Sequence, residues 1–432
     1  MNIKIKIIKN YRLLIILLSS LILSLPAMEP DLYAQVYPRE YLEEAIENNP
    51  GLRAQDKAYE ATLEKVDIEG SLPDPVLSGG IFTPPMERFM GKQLFDVEVM
   101  QMFPWFGTLE EQRSVARKNA DANFQQYRNA RNELFIKMTR LWLNIYKKDQ
   151  QIQIVLQFIE ILKAREDIIY SRYGGGQEQE GLMLDLYRLE IQLNELENRK
   201  EKLEEEKEAL VKNFNILLQH DQDAHITTPD TLAGITHNID TEEPDNEDFE
   251  ENPLVNRAQA EAEAATHKKE VARLMTRPRI GFGVQYSHFA TGEAAMEQMD
   301  GGGMVMPMFS ITIPIYGNKN KATRNESILQ AEKAIYQKEN QINNLLSIEA
   351  DLRSKHENLL RDKQFYIRQL EINDKAWELV ISAYAGGQEG FDELLRIQDQ
   401  LLESQWRLLE TIVEQHINAA EIDKLKAQEI FN

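Results

Sequence analysis

The sequence predicts an α+β membrane protein in which a strand-strand-long helix-helix unit occurs twice. Four strands per chain would be completed by two further copies into a twelve-stranded β-barrel. Three observations carry this expectation. Two Pro-x-x-Gly joints, Pro104-Trp105-Phe106-Gly107 and Pro314-Ile315-Tyr316-Gly317, separate stretches of strand period from stretches of helix period. Each joint is followed by a long heptad-spaced segment that ends in a glycine turn, Tyr173-Gly174-Gly175-Gly176-Gln177 or Tyr384-Ala385-Gly386-Gly387-Gln388. The strand-period segments carry one apolar and one polar face. Proline cannot continue a ladder or sit in a helix interior, and glycine permits a sharp change of direction, so each joint links a β segment to an α segment.

Composition limits the alternatives. Of 432 residues, 28% are charged, and Leu, Glu, Lys, Ala and Gln dominate long segments free of Gly and Pro. That is the make-up of long helices in contact with water and with each other. A net charge of -22 argues against nucleic acid as a partner, because a phosphate backbone requires clustered Lys and Arg. Cysteine is absent, which excludes disulfides, thiolate metal sites, thiol catalysis and a lipid-modified N-terminal cysteine. The sequence holds no phosphate-binding Gly-rich loop with Lys-Ser/Thr, no His-Glu-x-x-His and no Gly-x-Ser-x-Gly, so neither catalysis nor a cofactor is expected.

Residues 1–34 read as a secretory signal, with Lys4, Lys6, Lys9 and Arg12 as the basic region and Leu13 to Leu25 as the apolar one. No other segment approaches about 18 consecutive apolar residues, so any entry into a membrane is by a barrel. The first repeat occupies 35–218. An amphipathic helix carrying Leu42, Ala45, Ile46 and Leu52 is interrupted at Asn48-Asn49-Pro50 and stopped by Leu72-Pro73-Asp74-Pro75. A strand at about 76–83 ends in a turn at Pro84-Pro85, and a second follows at about 93–103. In the second, Phe95, Val97, Val99 and Phe103 alternate with polar residues including Asp96 and Glu98, and Gln101 is the exception on the apolar face.

One helical pattern covers 108–173, about 65 residues or roughly 95 Å. Its stripe runs Leu134, Met138, Leu141, Ile145, Ile152, Val155, Ile159 and Leu162, and a second stripe lies beside it, so it can touch neighbours on both sides. The pattern resumes at about 182–218, and the tight turn between makes the two helices antiparallel. Residues 219–250 lose all periodicity and read as an acidic, solvated linker, in which His220, Asp221, Asp223 and His225 match no metal-site spacing. The second repeat, 251–432, brings a helix, strands at about 279–289 and 303–314, and helices at about 319–385 and 391–428. Asn252 mirrors Asn49 at an offset of 203, Pro314 mirrors Pro104 at 210, and Tyr384 mirrors Tyr173 at 211. The difference places extra residues in the loop Ala290 to Gly303.

Strands of about 10 to 12 residues are long enough to cross a bilayer when tilted. Ile280, Phe282, Val284 and Tyr286 form one apolar face, and Val305, Pro307, Phe309, Ile311 and Ile313 another. Apolar faces outward and polar faces inward are what an outer-membrane barrel requires. Trp105, Phe106 and Tyr316 are expected at the bilayer boundary. Four strands cannot close a barrel, and open edges are not tolerated in lipid, so a homotrimer with twelve strands is expected.

With these features the sequence resembles the TolC-like outer-membrane efflux proteins over about residues 38 to 428, on the duplicated order, the two joints and the two Tyr-x-Gly-Gly-Gln turns. It is most similar to the subfamily serving heavy-metal cation pumps. The resemblance implies a β-barrel in the outer membrane, continued by a periplasmic α-helical barrel, with the linker joining an equatorial belt. It further implies a periplasmic adaptor and an inner-membrane pump of the resistance-nodulation-division type as partners, with passive export of solute as the function. In the family the second tip carries a Tyr, a basic residue after the Gly and then acidic residues, which together close the periplasmic mouth. Tyr384 and Gly387 match; Gln388 and Glu389 stand at the basic position, Glu393 approximates the first acidic one, and Arg396 lies near the second. The candidate tip residues are therefore Tyr173, Gly176, Asp185, Tyr384, Gly387, Glu389, Asp392 and Glu393.

A periplasmic coiled-coil adaptor or scaffold would also explain the heptads and the signal, but it has no use for two-faced strands. Glu178, Glu180, Asp185, Glu389, Asp392 and Glu393 gather at the helix turns and are expected to form a negative ring that favours cations. Met304, Met306 and Met308 share the polar strand face with Ser310 and Thr312, Met100 and Met102 lie on the matching face, and Met296 and Met299 lie in the longer loop. Thioether sulfur suits soft ions such as Cu(I) and Ag(I), although methionine also fills irregular space.

Overall fold

The computed structural model describes residues 39–164, 166, 169–170, 179–232, 249–292 and 301–426. The expected leader at 1–34, the first helix turn with Tyr173, Gly176 and Glu178, residues 233–248 of the linker, and Met296 and Met299 lie outside the described residues. The elements follow in the order α1 (Arg39–Asn48), α2 (Pro50–Glu69), β1 (Val76–Arg88), β2 (Gly91–Phe103), α3 (Thr108–Lys163), α4 (Gln179–Leu218), α5 (Pro253–Met275), β3 (Arg279–Ala290), β4 (Gly302–Thr312), α6 (Gly317–Ala385) and α7 (Phe391–Leu425). Among the described residues no helix is long and apolar enough to cross a membrane. Contacts define two compact units, one of Ala54–Ala130 with Asn246–Leu345, the other of Met1–Arg53, Arg131–Asp245 and Leu346–Asn432.

The first of these units holds the sheet, antiparallel throughout and ordered β1-β2-β3-β4. Pro84-Pro85 does not end β1 as the sequence suggested. Proline has no N–H to donate, so pairing lapses between Ile81 and Met86 and then resumes with Met86 opposite Gln93. The strand therefore runs on to Arg88, and the tight turn falls at Phe89-Met90. Beside the sheet, α3 carries buried Ala116 and Ala120, and α5 carries buried Ala260 and Ala264. Lys118–Glu263 at 2.8 Å and Glu111–His267 at 2.7 Å tie the pair.

Both repeats start a helix with the same device. Asn49 Oδ1 accepts from the N–H groups of Gly51 and Leu52, and Asn252 Oδ1 accepts from Leu254, in each case with proline as the first helical residue. Asn48-Asn49-Pro50 is thus an N-cap between α1 and α2, satisfying donors that a helix start leaves unpaired.

The joints differ from each other. Gly107 has φ +82°, and its carbonyl accepts from Glu111 at 3.1 Å as α3 begins. Gly317 has no positive φ, and a Cβ there would meet no atom within 4 Å. That turn is held instead by Asn320, whose Nδ2 donates to Pro314 O at 3.0 Å.

The other unit is helical. Lys163–Glu197 and Lys207–Asp149 ion pairs run in opposite residue order, so α3 and α4 are antiparallel neighbours. Asn373–Ser404 and Asn418 to Leu352 O show the same for α6 and α7. Two apolar clusters fill this unit. One gathers Phe135, Trp142, Leu143, Ile145, Phe214, Leu218, Val413 and Ile417. The other gathers Val155, Phe158, Leu162, Leu189, Leu196, Trp377, Tyr384 and Leu394. The described start of the linker is mostly exposed, as its composition suggested, but it is also tethered to the helices. Ile226 is buried in the first cluster, Thr227 O accepts from Trp142 Nε1 at 3.2 Å, Thr228 bonds Asp149 at 2.9 Å, and His220 pairs with Glu44.

Gly107→Ala is expected to cost about 1–2 kcal/mol, because only glycine enters the left-handed region without penalty. Gly317→Ala should be neutral within about 0.5 kcal/mol, as for an uncrowded surface site. Thermal unfolding of the two variants checks the difference, and equal losses would refute it.

Burial pushes Asp423 of α7 up to about 6, opposed in part by Lys426. Its folded value lies above the unfolded one, so its contribution to stability falls as pH rises between about 4 and about 6. Asp423→Asn should therefore raise the unfolding temperature at neutral pH, by the equivalent of at most about 3 kcal/mol. The gain should vanish near pH 3.5; a gain equal at both pH values would overturn this reading.

Candidate functional site

Strand register sets the chemistry of each sheet face, because directly opposed residues point the same way. On one face Val97 stands opposite Tyr286, which stands opposite Val305. Val99, Val284 and Pro307 form the next row, then Gln101, Phe282 and Phe309, then Phe103, Ile280 and Ile311. β1 adds Leu77 and Ile81. These side chains are exposed or half-exposed, with Val305 at 64% and Phe309 at 63% accessible. Gln101, the polar exception, is satisfied: its Nε2 donates to Pro73 O at 2.8 Å and to Met102 O at 3.0 Å. Phe106, Ile315 and Tyr316 at the joints extend the exposed apolar surface, Phe106 being 81% accessible.

The opposite face is polar and rich in methionine. Its rows read Asp96, Ser287 and Met304; Glu98, Gln285 and Met306; Met100, Gly283 and Met308; and Met102, Gly281 and Ser310. Gln285 Nε2 donates to Asp96 Oδ2 at 2.6 Å, which holds the two strands together on that face.

In the helical unit the second tip is built around a buried tyrosine. Tyr384, next to last in α6, is 1% exposed, with its ring 5.6 Å from that of Phe391, the first residue of α7. The turn between them has glycine-capped geometry: Gln388 N donates to Ala383 O, Gly387 N donates to Tyr384 O, and Gly387 has φ +73°. Tyr384 Oη donates to Asp185 Oδ2 of α4 at 3.0 Å, and Asp185 is 5% exposed. Arg188 stands 3.4 Å from Asp185 Oδ1 and 2.9 Å from Asp392 Oδ2 of α7. Further along, Gln192 bonds Asp399 at 3.0 Å and the Arg199 guanidinium stacks 3.6 Å over Trp406, so α4 and α7 run parallel and are stitched along their length.

Of the tip residues expected from sequence, Asp185, Tyr384, Gly387 and Asp392 are thus gathered in one network. Glu389 is exposed in the turn, and Glu393 pairs with Arg396, which holds its carboxyl below the usual range. Within one chain the negative charge at this turn is partly offset, since Asp185 is buried and Asp392 and Glu393 each face an arginine. Arg188 is the residue that sequence reasoning missed. It brings a positive charge to the turn from the other repeat, against Asp392 of α7. Its signal was its position three residues after Asp185, on the same helical face.

Solved structures share this fold at low sequence identity. The outer-membrane channel OprN is 17% identical, with 92% of this chain and 91% of that chain covered and a TM-score of 0.76. CusC, a protein described through its transmembrane channel formation, is 16% identical over 94% of this chain and 99% of that one, with a TM-score of 0.74. The open MtrE outer-membrane channel of Neisseria gonorrhoeae is 17% identical over 92% and 89%, with a TM-score of 0.71. No family model matches the chain, and neither does any curated protein. The fold is that of the TolC-like channels, with four strands per chain and long paired helices.

Tyr384→Phe removes the hydroxyl that bonds a buried carboxylate, and should cost about 1–3 kcal/mol locally. Amide hydrogen exchange at residues 383–394 should accelerate in Tyr384→Phe and in Arg188→Gln. Adding Asp185→Asn to Tyr384→Phe should cost less than the two changes separately, because they share one bond. Strict additivity would show that the bond does not hold the turn.

Proposed function

We propose that this protein is the outer-membrane channel of a tripartite efflux system, a passive exit duct closed by three copies. The observation that carries this reading is the mainly apolar face shared by all four strands, interrupted by Gln101, opposite a polar one. A sheet so divided suits lipid on one side and a water-filled lumen on the other. The free edges of the sheet, β1 and β4, cannot face hydrocarbon, and pairing β1 of one copy with β4 of the next removes all of them. The solved channels that share the fold support the same placement, in the outer membrane and extending into the periplasm.

The second helix turn is the candidate periplasmic closure. The Tyr384–Asp185 bond and the Arg188 bridge to Asp392 fasten α4, α6 and α7 at their tips, and opening the mouth requires breaking them. A periplasmic adaptor docked there, coupled to an inner-membrane pump of the resistance-nodulation-division type, would supply both the cargo and the opening force. Heavy-metal cations are the cargo class implied by the sequence resemblance, and the thioether-rich polar face suits the soft members of that class. An adaptor or scaffold role would leave the exposed apolar sheet without a purpose.

Replacing Val97 or Ile311 by Arg should cost about 2–4 kcal/mol where the side chain meets the bilayer midplane. The same change at Glu98, on the polar face, should cost much less. The yield of heat-resistant trimer in membranes measures this; equal losses on both faces would refute the barrel.

A further inference from the structure

On the polar face, β3 presents two glycines, Gly281 and Gly283, between Met100 and Met102 of β2 and Met308 and Ser310 of β4. Methionine side chains crowd the space where side chains would stand, although at Gly283 the Val99 carbonyl oxygen lies nearer still. A Cβ on Gly281 would lie 2.6 Å from Met102 Sδ and 3.3 Å from Met100 Sδ, and a Cβ on Gly283 would lie 3.1 Å from Met100 Sδ. Two thioethers from alternate positions of one strand therefore converge over the same stripped stretch of backbone. Met308, opposite Gly283, flanks that stretch from the other side.

Packing alone does not require this arrangement. Met100, Met102 and Met308 are each partly exposed, so this stretch of the face is not closed over. Apolar anchoring is already provided by the opposite face of the same strands. Glu98 and Asp96 lie on the same face, next along from Met100, and add negative potential without hard ligands at the sulfurs themselves.

We propose that Met100 and Met102, with Met308 as a third donor, form a transit site for a soft monovalent cation, Ag(I) or Cu(I). This rests on reading the polar face as the channel lining. Neutral thioethers hold such ions without the charge neutralisation that makes thiolate sites tight. Binding is then weak enough to exchange, as an exit path requires. The glycines are part of the site: side chains there would push the two sulfurs off the shared spot.

Titration calorimetry with silver nitrate, in chloride-free buffer, tests the site on the purified full chain in detergent. The wild type should bind Ag(I) saturably, and Met100→Leu with Met102→Leu should weaken it at least tenfold. Gly281→Ala, which keeps every methionine, should also weaken it, whereas Met275→Leu, a change at an exposed methionine of α5, should not. Leucine conserves volume, so oligomer yield is expected to hold. Anomalous diffraction from silver-soaked wild-type crystals needs no variant and should place a peak between Met100 Sδ and Met102 Sδ. Silver affinity unchanged by the double substitution, or anomalous peaks only elsewhere, would overturn the site. Failure of the channel reading would appear separately, as no trimer and no conductance from a protein that still binds silver.

Discussion

The pairing of β2 with β3 is the interaction on which the rest depends. It joins two repeats whose strands are far apart in sequence, and its register from Lys92–Ala290 to Phe103–Ile280 decides which side chains share a face. A slip of one residue would bring Val97 and Val99 alongside glycines and glutamine, and would mix the two faces across the sheet. It would also separate Met100 from Gly283. The aromatic contacts Phe103–Phe282 and Phe282–Phe309 reinforce the register on the apolar side, and the Gln285–Asp96 bond reinforces it on the polar side.

Much of this was legible because strand and helix periods are properties of the sequence itself. The duplication, the alternation in Gln93–Phe103 and the heptads of the long helices each translate into position without knowledge of partners. What was not legible depended on contacts between distant segments. Pro84-Pro85 reads as a stop when the strand is considered alone, yet β2 tolerates the lapse and pairing resumes beyond it. Residues 220–232 read as linker by composition, but Ile226 and the Thr227 carbonyl find Trp142 and its cluster across the helices. Gly317 was read by analogy with Gly107, although the two joints use different means, a left-handed glycine in one and an asparagine bridge in the other.

The tip shows the same limit in electrostatic form. Counting acids along the chain overstates the field at the turn, because a count does not say which carboxylates are buried or paired. Tyr384, Asp185 and Arg188 come from both repeats, and their relation is set by the parallel packing of α4 with α7. Relocating the cation from the α6–α7 turn to α4 preserves a closed network while altering every local motif. A motif search sees no basic residue after Gly387; the geometry shows Arg188 of α4 against Asp392 of α7.

Sharing a fold at 16–17% identity follows from how the constraints are distributed. The apolar face of the sheet asks only that residues be apolar, and the helical seams only that heptad positions be filled, so many sequences satisfy both. The joints and the tip require particular geometry but tolerate more than one way of reaching it, as Gly107 against Asn320 and Arg188 demonstrate. The polar strand face is bound by neither demand. No apolar pattern fixes it, which leaves its composition freer apart from local contacts such as the Gln285–Asp96 bond. In this chain that freedom is occupied by methionines set over glycines, an arrangement that neither the register nor the apolar face requires.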